Sequence, residues 1–311
     1  MQADSQSQPE RPWALETYLI ELRWLPISIL AVLVTPLRYL RHFCVQWAAA
    51  LSYYTLIGLV PLLTAIFALL KLFGFHRGLT PYVMSTVGAG SHEVAAQIVR
   101  FIDETNMQAV GVLSAIGAAL ATLAILVNAE FAFNTIWGGV AGRPLGRKVR
   151  AYTKVALLAP LLLLLALALT AFFRRGTPAY IFLDALALGE PLIVVLRLLP
   201  YALLWLGFSL LYTRLPNTTV RVRSAIFAAV VAGTLWQLAQ WAYVTFVIRM
   251  VQYSSVYGAL WQVPILLAWL YVAWSIILFG VEVSRAHQEL FHDRLTRRLS
   301  APRTPGTVRD E

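Results

Sequence analysis

Charged residues are scarce in this sequence of 311 residues. Asp, Glu, Lys and Arg make up only 13% of it, whereas soluble domains carry about 25%. The hydrophobic share is 59%, above the roughly 45–50% of soluble domains. Cys44 is the single cysteine, which excludes an intrachain disulfide and a cysteine-ligated metal cluster. The composition therefore indicates an integral membrane protein and argues against a soluble enzyme, a disordered chain or a disulfide scaffold.

Six apolar runs are long enough to cross a bilayer, whose hydrocarbon core needs about 20 residues per helix. They are residues 51–73, 109–133, 155–173, 192–212, 224–247 and 257–281. The shorter run 25–37 contains two prolines, and we predict that it belongs to an interfacial helix on the cytoplasmic side. Whether this run enters the membrane is left open. The fold class predicted is all-α, an integral membrane bundle of six transmembrane helices.

The basic residues are distributed unevenly between the predicted loops. Of the 25 Lys and Arg, 18 lie in the N-terminal arm, the second and fourth loops and the C-terminal tail, and six lie in the other loops. Since Lys and Arg favour cytoplasmic loops, both termini are predicted to be cytoplasmic. This distribution also accounts for the net charge of +10 without a nucleic-acid partner.

The predicted organisation has three regions. Residues 1–47 form a cytoplasmic arm with the interfacial helix, residues 48–288 form the six-span membrane domain, and residues 289–311 form a partly disordered cytoplasmic tail. The longest extracytoplasmic loop follows the first span. Within it, Ser91 is a candidate N-cap for an amphipathic helix that reaches Thr105.

Three blocks of sequence carry a resemblance to a known family. They are LSYYTLIGLVPLLTAIFALL in the first span, EFAFNTIW at the end of the second, and VYGALWQVPILLAWLYVAWSIILFGVEV in the last third. From Ala48 to Gln288 the chain resembles the YihY/BrkB family of bacterial inner-membrane proteins, formerly called ribonuclease BN. The resemblance implies six spans with both termini inside. It also implies an unresolved activity, linked in some members to envelope biogenesis and to lipid or lipopolysaccharide transport.

One loop departs from the family pattern. The stretch GGVAGRP after Trp137 is rich in glycine, where the resemblance leads us to expect a more basic segment. This departure weakens the case for a lipid-headgroup role of that loop.

Polar residues at membrane depth are informative, because a charge near the centre of a membrane helix costs about 2.5–3.5 kcal/mol. Glu130 and Asn134 share a face of the second span, and Glu282 closes the sixth. The residues predicted to line a polar cleft are Glu130, Asn134, Gln237, Gln240, Gln262 and Glu282. The alternative for each is helix packing, through an ion pair or a hydrogen bond between helices.

Three arginines are candidate contacts for lipids or partners in ion pairs: Arg143, Arg197 and Arg214. Arg143 and Arg214 are also the partners expected for Glu282. Pro61 and Pro264 are predicted to kink the first and sixth spans.

The motifs of several enzyme classes are missing from the sequence. The five histidines are scattered without HxH or HExxH spacing, and no P-loop or GxSxG is present. We therefore predict no catalytic set, metal or cofactor and reject ribonuclease activity. The function predicted is transport or binding of a lipid-like envelope molecule, with anionic lipids contacting the cytoplasmic face. The alternative is a non-transporting scaffold; a homo-oligomer is compatible with the sequence, and protein partners are unknown.

Overall fold

The computed structural model describes residues 25–72, 107–139, 144–172, 189–251 and 262–300. These ranges contain helices and no strand, which confirms the all-α class for this part of the chain. The helices are α1 (Ile27–Arg41), α2 (Cys44–Leu72), α3 (Met107–Trp137), α4 (Leu145–Phe172), α5 (Gly189–Arg214), α6 (Val222–Val251) and α7 (Gln262–Ser300). Each of the six predicted spans overlaps one of the helices α2 to α7.

Within the described residues, four segments are long and apolar enough to cross a membrane. They are Cys44–Ala65, Val112–Trp137, Val222–Val247 and Val263–Arg294. Helices α4 and α5 cover the third and fourth predicted spans, and the total of six spans stays a prediction. Helix α1 covers most of the run predicted as interfacial, while its position at a membrane stays a prediction. The loop helix expected at 91–105 and the end segments 1–24 and 301–311 lie outside the described residues.

The distribution of side-chain sizes is that of a membrane protein. Many fully buried helical positions are alanine, among them Ala48, Ala132 and Ala228, all 0% exposed. Large apolar side chains point outward instead, with Leu113 73% and Trp241 71% exposed. Small residues allow membrane helices to approach closely, and a lipid environment accommodates the exposed leucine and tryptophan side chains.

The chain divides into two compact units. The second comprises residues 46–131 and 245–274, and α2 and α3 approach each other closely within it. A Cβ added at Gly58 would lie 3.0 Å from Ala121 Cβ, and one added at Gly117 would lie 3.1 Å from Pro61 Cβ. Trp274 Nε1 donates a hydrogen bond to Thr55 Oγ1 at 2.9 Å. Glycine at these two positions therefore permits the close approach of the helices, and a larger residue would require its neighbour to shift.

The first unit comprises residues 1–45, 132–244 and 275–311. In it, α1 packs against α7 through a small apolar core of Leu30, Ala31, Val34, Ala286 and Leu290. This contact places the end of α1 beside the polar residues of α7.

A second contact of the first unit joins α5, α6 and α7. Tyr212 stacks on Phe208 with ring centroids 6.0 Å apart, and its hydroxyl donates to Ile277 O at 3.2 Å. A Cβ at Gly280 would overlap the Tyr212 hydroxyl and lie 2.8 Å from Ala232 Cβ. These contacts set the position of α7 against α5 and α6.

Candidate functional site

The residues predicted to line a polar cleft are distributed over both units. Glu130 and Gln262 belong to the second unit, and the other four belong to the first. Glu130 is buried, Gln237 is half-buried and Gln240 is exposed. The side chain of Gln262 lies outside the described ones. The cleft as a whole stays a prediction.

Asn134 lies at the end of α3, where the chain turns sharply. Gly138 has a φ of 66° and donates its N–H to Thr135 O at 3.1 Å, while Gly139 donates to Asn134 O at 2.9 Å. This is the Schellman arrangement, which favours glycine in the left-handed conformation. The Asn134 side chain accepts a hydrogen bond from Asn217 N at 2.7 Å. It thereby holds the α5–α6 connection, residues 215–221.

The same connection is held from α7. Gln288 Oε1 accepts a hydrogen bond from Arg221 N at 2.7 Å, and its Nε2 donates to Thr219 O at 3.1 Å. The connection between α5 and α6 is therefore fixed by side chains of two other helices.

Glu282 occupies the centre of a buried polar cluster, with its side chain 0% exposed. Its Oε1 lies 2.6 Å from His42 Nδ1 and accepts a longer hydrogen bond from Cys44 Sγ at 3.6 Å. Its Oε2 is buried without a hydrogen-bond partner among the described residues. Arg214 and Arg143 were the expected partners; the described contacts join Glu282 to His42 instead, and Arg143 lies outside the described residues.

Two arginines extend this cluster. Arg285 donates to Glu289 Oε1 at 2.6 Å and to the carbonyl oxygen of Ile136, and its Nη1 lies 3.5 Å from His42 Nε2. Arg38 Nη1 donates to Glu289 Oε2 at 2.5 Å. We call Arg38, His42, Cys44, Glu282, Arg285 and Glu289 the Glu282 cluster.

The Glu282 cluster brings two guanidinium groups and two carboxyl groups together around His42. Each nitrogen of the His42 ring has a partner, Nδ1 at Glu282 and Nε2 at Arg285. Sequence reasoning singled out only Glu282. The available signal was the spacing of Glu282, Arg285 and Glu289, which places all three on one side of α7. Among the described residues, no group of three His, Cys, Asp or Glu is placed to hold a metal ion.

A different kind of site lies where α4 packs against α5. A cavity of about 450 Å³ opens there, a size typical of ligand pockets, which span about 300–1,000 Å³. Its described wall is almost entirely apolar, and within that lining the charged residues are Lys154 and Arg214. Lining it are Lys154, Val155, Leu158, Leu162, Leu203, Leu204, Gly207, Phe208, Leu210, Leu211, Arg214, Trp236 and Ile277. We call this cavity the apolar groove.

A basic cavity of about 340 Å³ shares two residues with the apolar groove. Lys154 and Arg214 line both, and Arg147 and Arg150 add two more cations. The remaining lining residues are Ala151, Thr213, Asn217, Thr218 and Thr219. No acidic side chain is among the described residues that line either cavity. We call this second cavity the basic mouth.

The basic mouth differs from another polar cavity of the first unit. That cavity, of about 350 Å³, is lined by Arg221 together with the acidic Glu289 and Asp293. There a cation and two acids line the same cavity, whereas the charged residues in the described lining of the basic mouth are all basic.

The remaining residues predicted from the sequence are two arginines and the two prolines. Arg214 lines both cavities, while the Arg197 side chain lies outside the described ones. Pro61 lies inside α2, and the kink predicted there stays a prediction. Pro264 lies close to the first described residue of α7, and the kink predicted there also stays a prediction.

Comparison with known proteins gives a family match over most of the chain. The family model described as Virulence factor BrkB matches residues 35–304. A UPF0761 membrane protein of Halorhodospira halophila is 33% identical over 250 residues, which cover 78% of this chain and 54% of that protein. One from Aeromonas salmonicida is 31% identical over 76% of this chain and 81% of its own length.

The relatives differ in how much of their length is matched. The chain spans about half of the Halorhodospira halophila and Ralstonia nicotianae proteins, 54% of each. In the Haemophilus influenzae relative, which is 26% identical, the match covers 90% of the protein. No solved structure matches the chain.

Proposed function

The chain belongs to the Virulence factor BrkB family, and on that premise we propose that it binds and moves a lipid-like envelope molecule. It is a membrane protein with several helices able to cross a bilayer. In our proposal it is a multi-pass protein of the bacterial inner membrane, with six spans and both termini in the cytoplasm. The excess of basic residues in four of the predicted segments supports this orientation.

The observation that carries the proposal is the apolar groove with two cations at its junction with the basic mouth. An amphipathic molecule has an apolar body and a polar head, and the two cavities offer one environment for each. Acyl chains can enter the groove from the bilayer because its wall is as apolar as the lipid tails. A water-soluble substrate would gain nothing from a wall of leucine, valine and phenylalanine.

The cleft predicted from sequence provides a polar route for the head of such a molecule. Glu130 and Glu282 are both buried, 4% and 0% exposed, and ionisable groups at membrane depth commonly mark transport pathways. Glu282 also has a clear structural role in its cluster, so Glu130 is the more informative position for a test of transport.

Gly207 permits a direct block of the apolar groove. A Cβ added there would lie 3.8 Å from Leu162 Cδ1, an ordinary contact, so a larger side chain can enter the cavity without displacing the backbone. Ala202 is also on α5 but is exposed and outside both cavities. Gly207→Leu and Ala202→Leu therefore form a matched pair that adds a leucine inside or outside the groove.

Reconstitution in liposomes with fluorescent lipids tests the proposal. We expect lipid to cross the bilayer faster than in empty vesicles, with the gain lost in Gly207→Leu, reduced in Glu130→Ala and kept in Ala202→Leu. No movement above empty vesicles, or full movement by Gly207→Leu, would overturn it. Should proteins copurify with the chain in mild detergent while no lipid does, the scaffold alternative would replace it.

A further inference from the structure

We infer that the molecule held between α4 and α5 is an anionic phospholipid, whose phosphate lies in the basic mouth and whose acyl chain lies in the apolar groove. This inference rests on the proposed function and names the chemical class of its ligand. The two cavities share Lys154 and Arg214, so the charge lies at the boundary between the polar and the apolar part. That is where the phosphate of a membrane lipid is attached.

The first argument is the spacing of the cations on α4. Arg147, Arg150 and Lys154 follow one another at i, i+3 and i+7, which places them on one side of the helix. Like charges at this spacing destabilise a helix. Because all three line the same cavity, an anion bound there would contact them together and offset their repulsion.

The second argument is that Arg147 lies at the N-terminal end of α4, where the helix dipole disfavours a cation. Arg147 is the third residue of α4, whose first turn contains no acidic residue. The helix macrodipole favours negative charge at that end. Helix stability therefore gives no reason for arginine here.

Membrane topology alone does not explain the arrangement. The positive-inside rule predicts Lys and Arg in cytoplasmic loop regions. Cations on any face of the adjoining helix satisfy this rule. It does not require four of them to line one cavity whose described lining contains no acid.

Basic pockets between transmembrane helices are known sites for phosphate-bearing lipid head groups. A free phosphate compound would satisfy the basic mouth and leave the apolar groove without a function. The continuity of the two cavities through Lys154 and Arg214 selects a lipid as the occupant.

Competition between two lipids tests the inference on the purified full chain in mild detergent. The protein is mixed with equal amounts of phosphatidylglycerol and phosphatidylcholine of the same acyl chains, and the lipid retained after size exclusion is measured by mass spectrometry. We expect phosphatidylglycerol to be enriched in the wild type. Lys154→Gln and Arg214→Gln should each lower its retention about fivefold, without changing that of phosphatidylcholine.

The matched control is Arg223→Gln. Arg223 is exposed at the start of α6 and lines neither cavity, so retention should equal that of the wild type. An equal loss in Arg223→Gln would show that overall charge, and not this site, attracts the lipid, and would overturn the inference. Arg147→Gln and Arg150→Gln provide a second pair of variants should Lys154→Gln or Arg214→Gln not yield folded protein.

Two further arms separate the inference from the proposed function. If both lipids are retained equally and both are lost in Gly207→Leu, the groove binds lipid without selecting an anionic head group. That result would overturn the inference and leave the proposed function in place. If Gly207→Leu retains both lipids unchanged, the groove does not bind lipid. That result would overturn the inference and the proposed function together. Glycerol 3-phosphate that displaces phosphatidylglycerol at equal concentration would also overturn the inference, because the acyl chain would then contribute nothing.

Discussion

The first unit contains two concentrations of basic residues that differ in the presence of acids and in exposure. Arg38 and Arg285 are half-buried, whereas the four cations of the basic mouth are exposed. In the Glu282 cluster, Arg38 and Arg285 lie against Glu289, and Glu282 is completely buried beside His42. In the basic mouth, four cations line a cavity with no acid in its described lining. In our account the basic residues of the Glu282 cluster serve the fold through Glu289, and those of the basic mouth serve a ligand.

The two regions also differ in what their loss should do. The Glu282 cluster joins α1 to α7 through charged hydrogen bonds, so breaking it should reduce stability. The basic mouth and apolar groove contribute open space, so changing them should alter binding and leave the fold intact. The following substitutions separate these two behaviours.

Breaking the centre of the Glu282 cluster should have the largest effect. Glu282→Ala is expected to lower the free energy of unfolding by about 3–5 kcal/mol, because His42 and Cys44 lose their common acceptor and a cavity is left at a fully buried position. The loss is measured as a lower melting temperature in detergent. Glu282→Gln, which keeps an oxygen acceptor for His42, should lose less; a wild-type melting temperature for Glu282→Ala would show that the cluster is not structural.

A side chain added at Gly280 should shift α7 and so disturb the Glu282 cluster. Gly280→Ala places a methyl group against the Tyr212 hydroxyl and Ala232, and such overpacking costs about 1–3 kcal/mol. Gly146 on α4 has nothing within 4 Å of an added Cβ, so Gly146→Ala should leave stability unchanged or raise it. Thermal unfolding of the two variants side by side distinguishes close packing from a general effect of alanine; equal melting temperatures would contradict the close contact at Gly280.

The contact between Arg38 and Glu289 should contribute less to stability than Glu282 does. The Arg38 side chain is 11% exposed and that of Glu289 is 37% exposed, so water can replace part of this contact. Arg38→Gln is expected to lower the free energy of unfolding by about 1 kcal/mol, again measured by thermal unfolding. A loss as large as that of Glu282→Ala would contradict the expectation that the more buried contacts of the cluster contribute more to stability.

Neutralising the basic mouth should change stability least. Lys154→Gln and Arg214→Gln are expected to stay within about 0.5 kcal/mol of the wild type without lipid. Phosphatidylglycerol should raise the melting temperature of the wild type, since a ligand at about 100 times its Kd adds about 2.7 kcal/mol. The two variants should lose much of this gain and Arg223→Gln should keep it. A strong loss of stability in lipid-free detergent would place these cations with the Glu282 cluster as structural residues.

The helices were predictable because each is made of a long apolar run with few charges. The predicted spans 109–133 and 224–247 lie within α3 and α6, which extend a few residues further at both ends. Arg214 was predicted to contact a lipid or to form an ion pair, and this stays a prediction; the structure places it at the junction of the two cavities.

The contacts of the Glu282 cluster were not predictable from local pattern. His42 and Glu282 are 240 residues apart in sequence, and their contact depends on how α1 packs against α7. Polarity alone does not give position either: Gln240 is exposed and Gln237 half-buried, and their place in a cleft stays a prediction. The apolar groove had no signal at all, because empty space between Leu162 and Gly207 leaves no trace in a run of apolar residues.

Photocrosslinking tests the central claim, that the groove between α4 and α5 holds a lipid, most directly. Phosphatidylglycerol with a photoreactive acyl chain is activated on the purified chain, and the labelled residues are identified by peptide mass spectrometry. We predict labels concentrated on lining residues such as Leu162 and Leu204, and their loss in Gly207→Leu. Labels spread evenly over exposed apolar residues such as Val60 and Leu113, which are 70% and 73% exposed, would contradict the account.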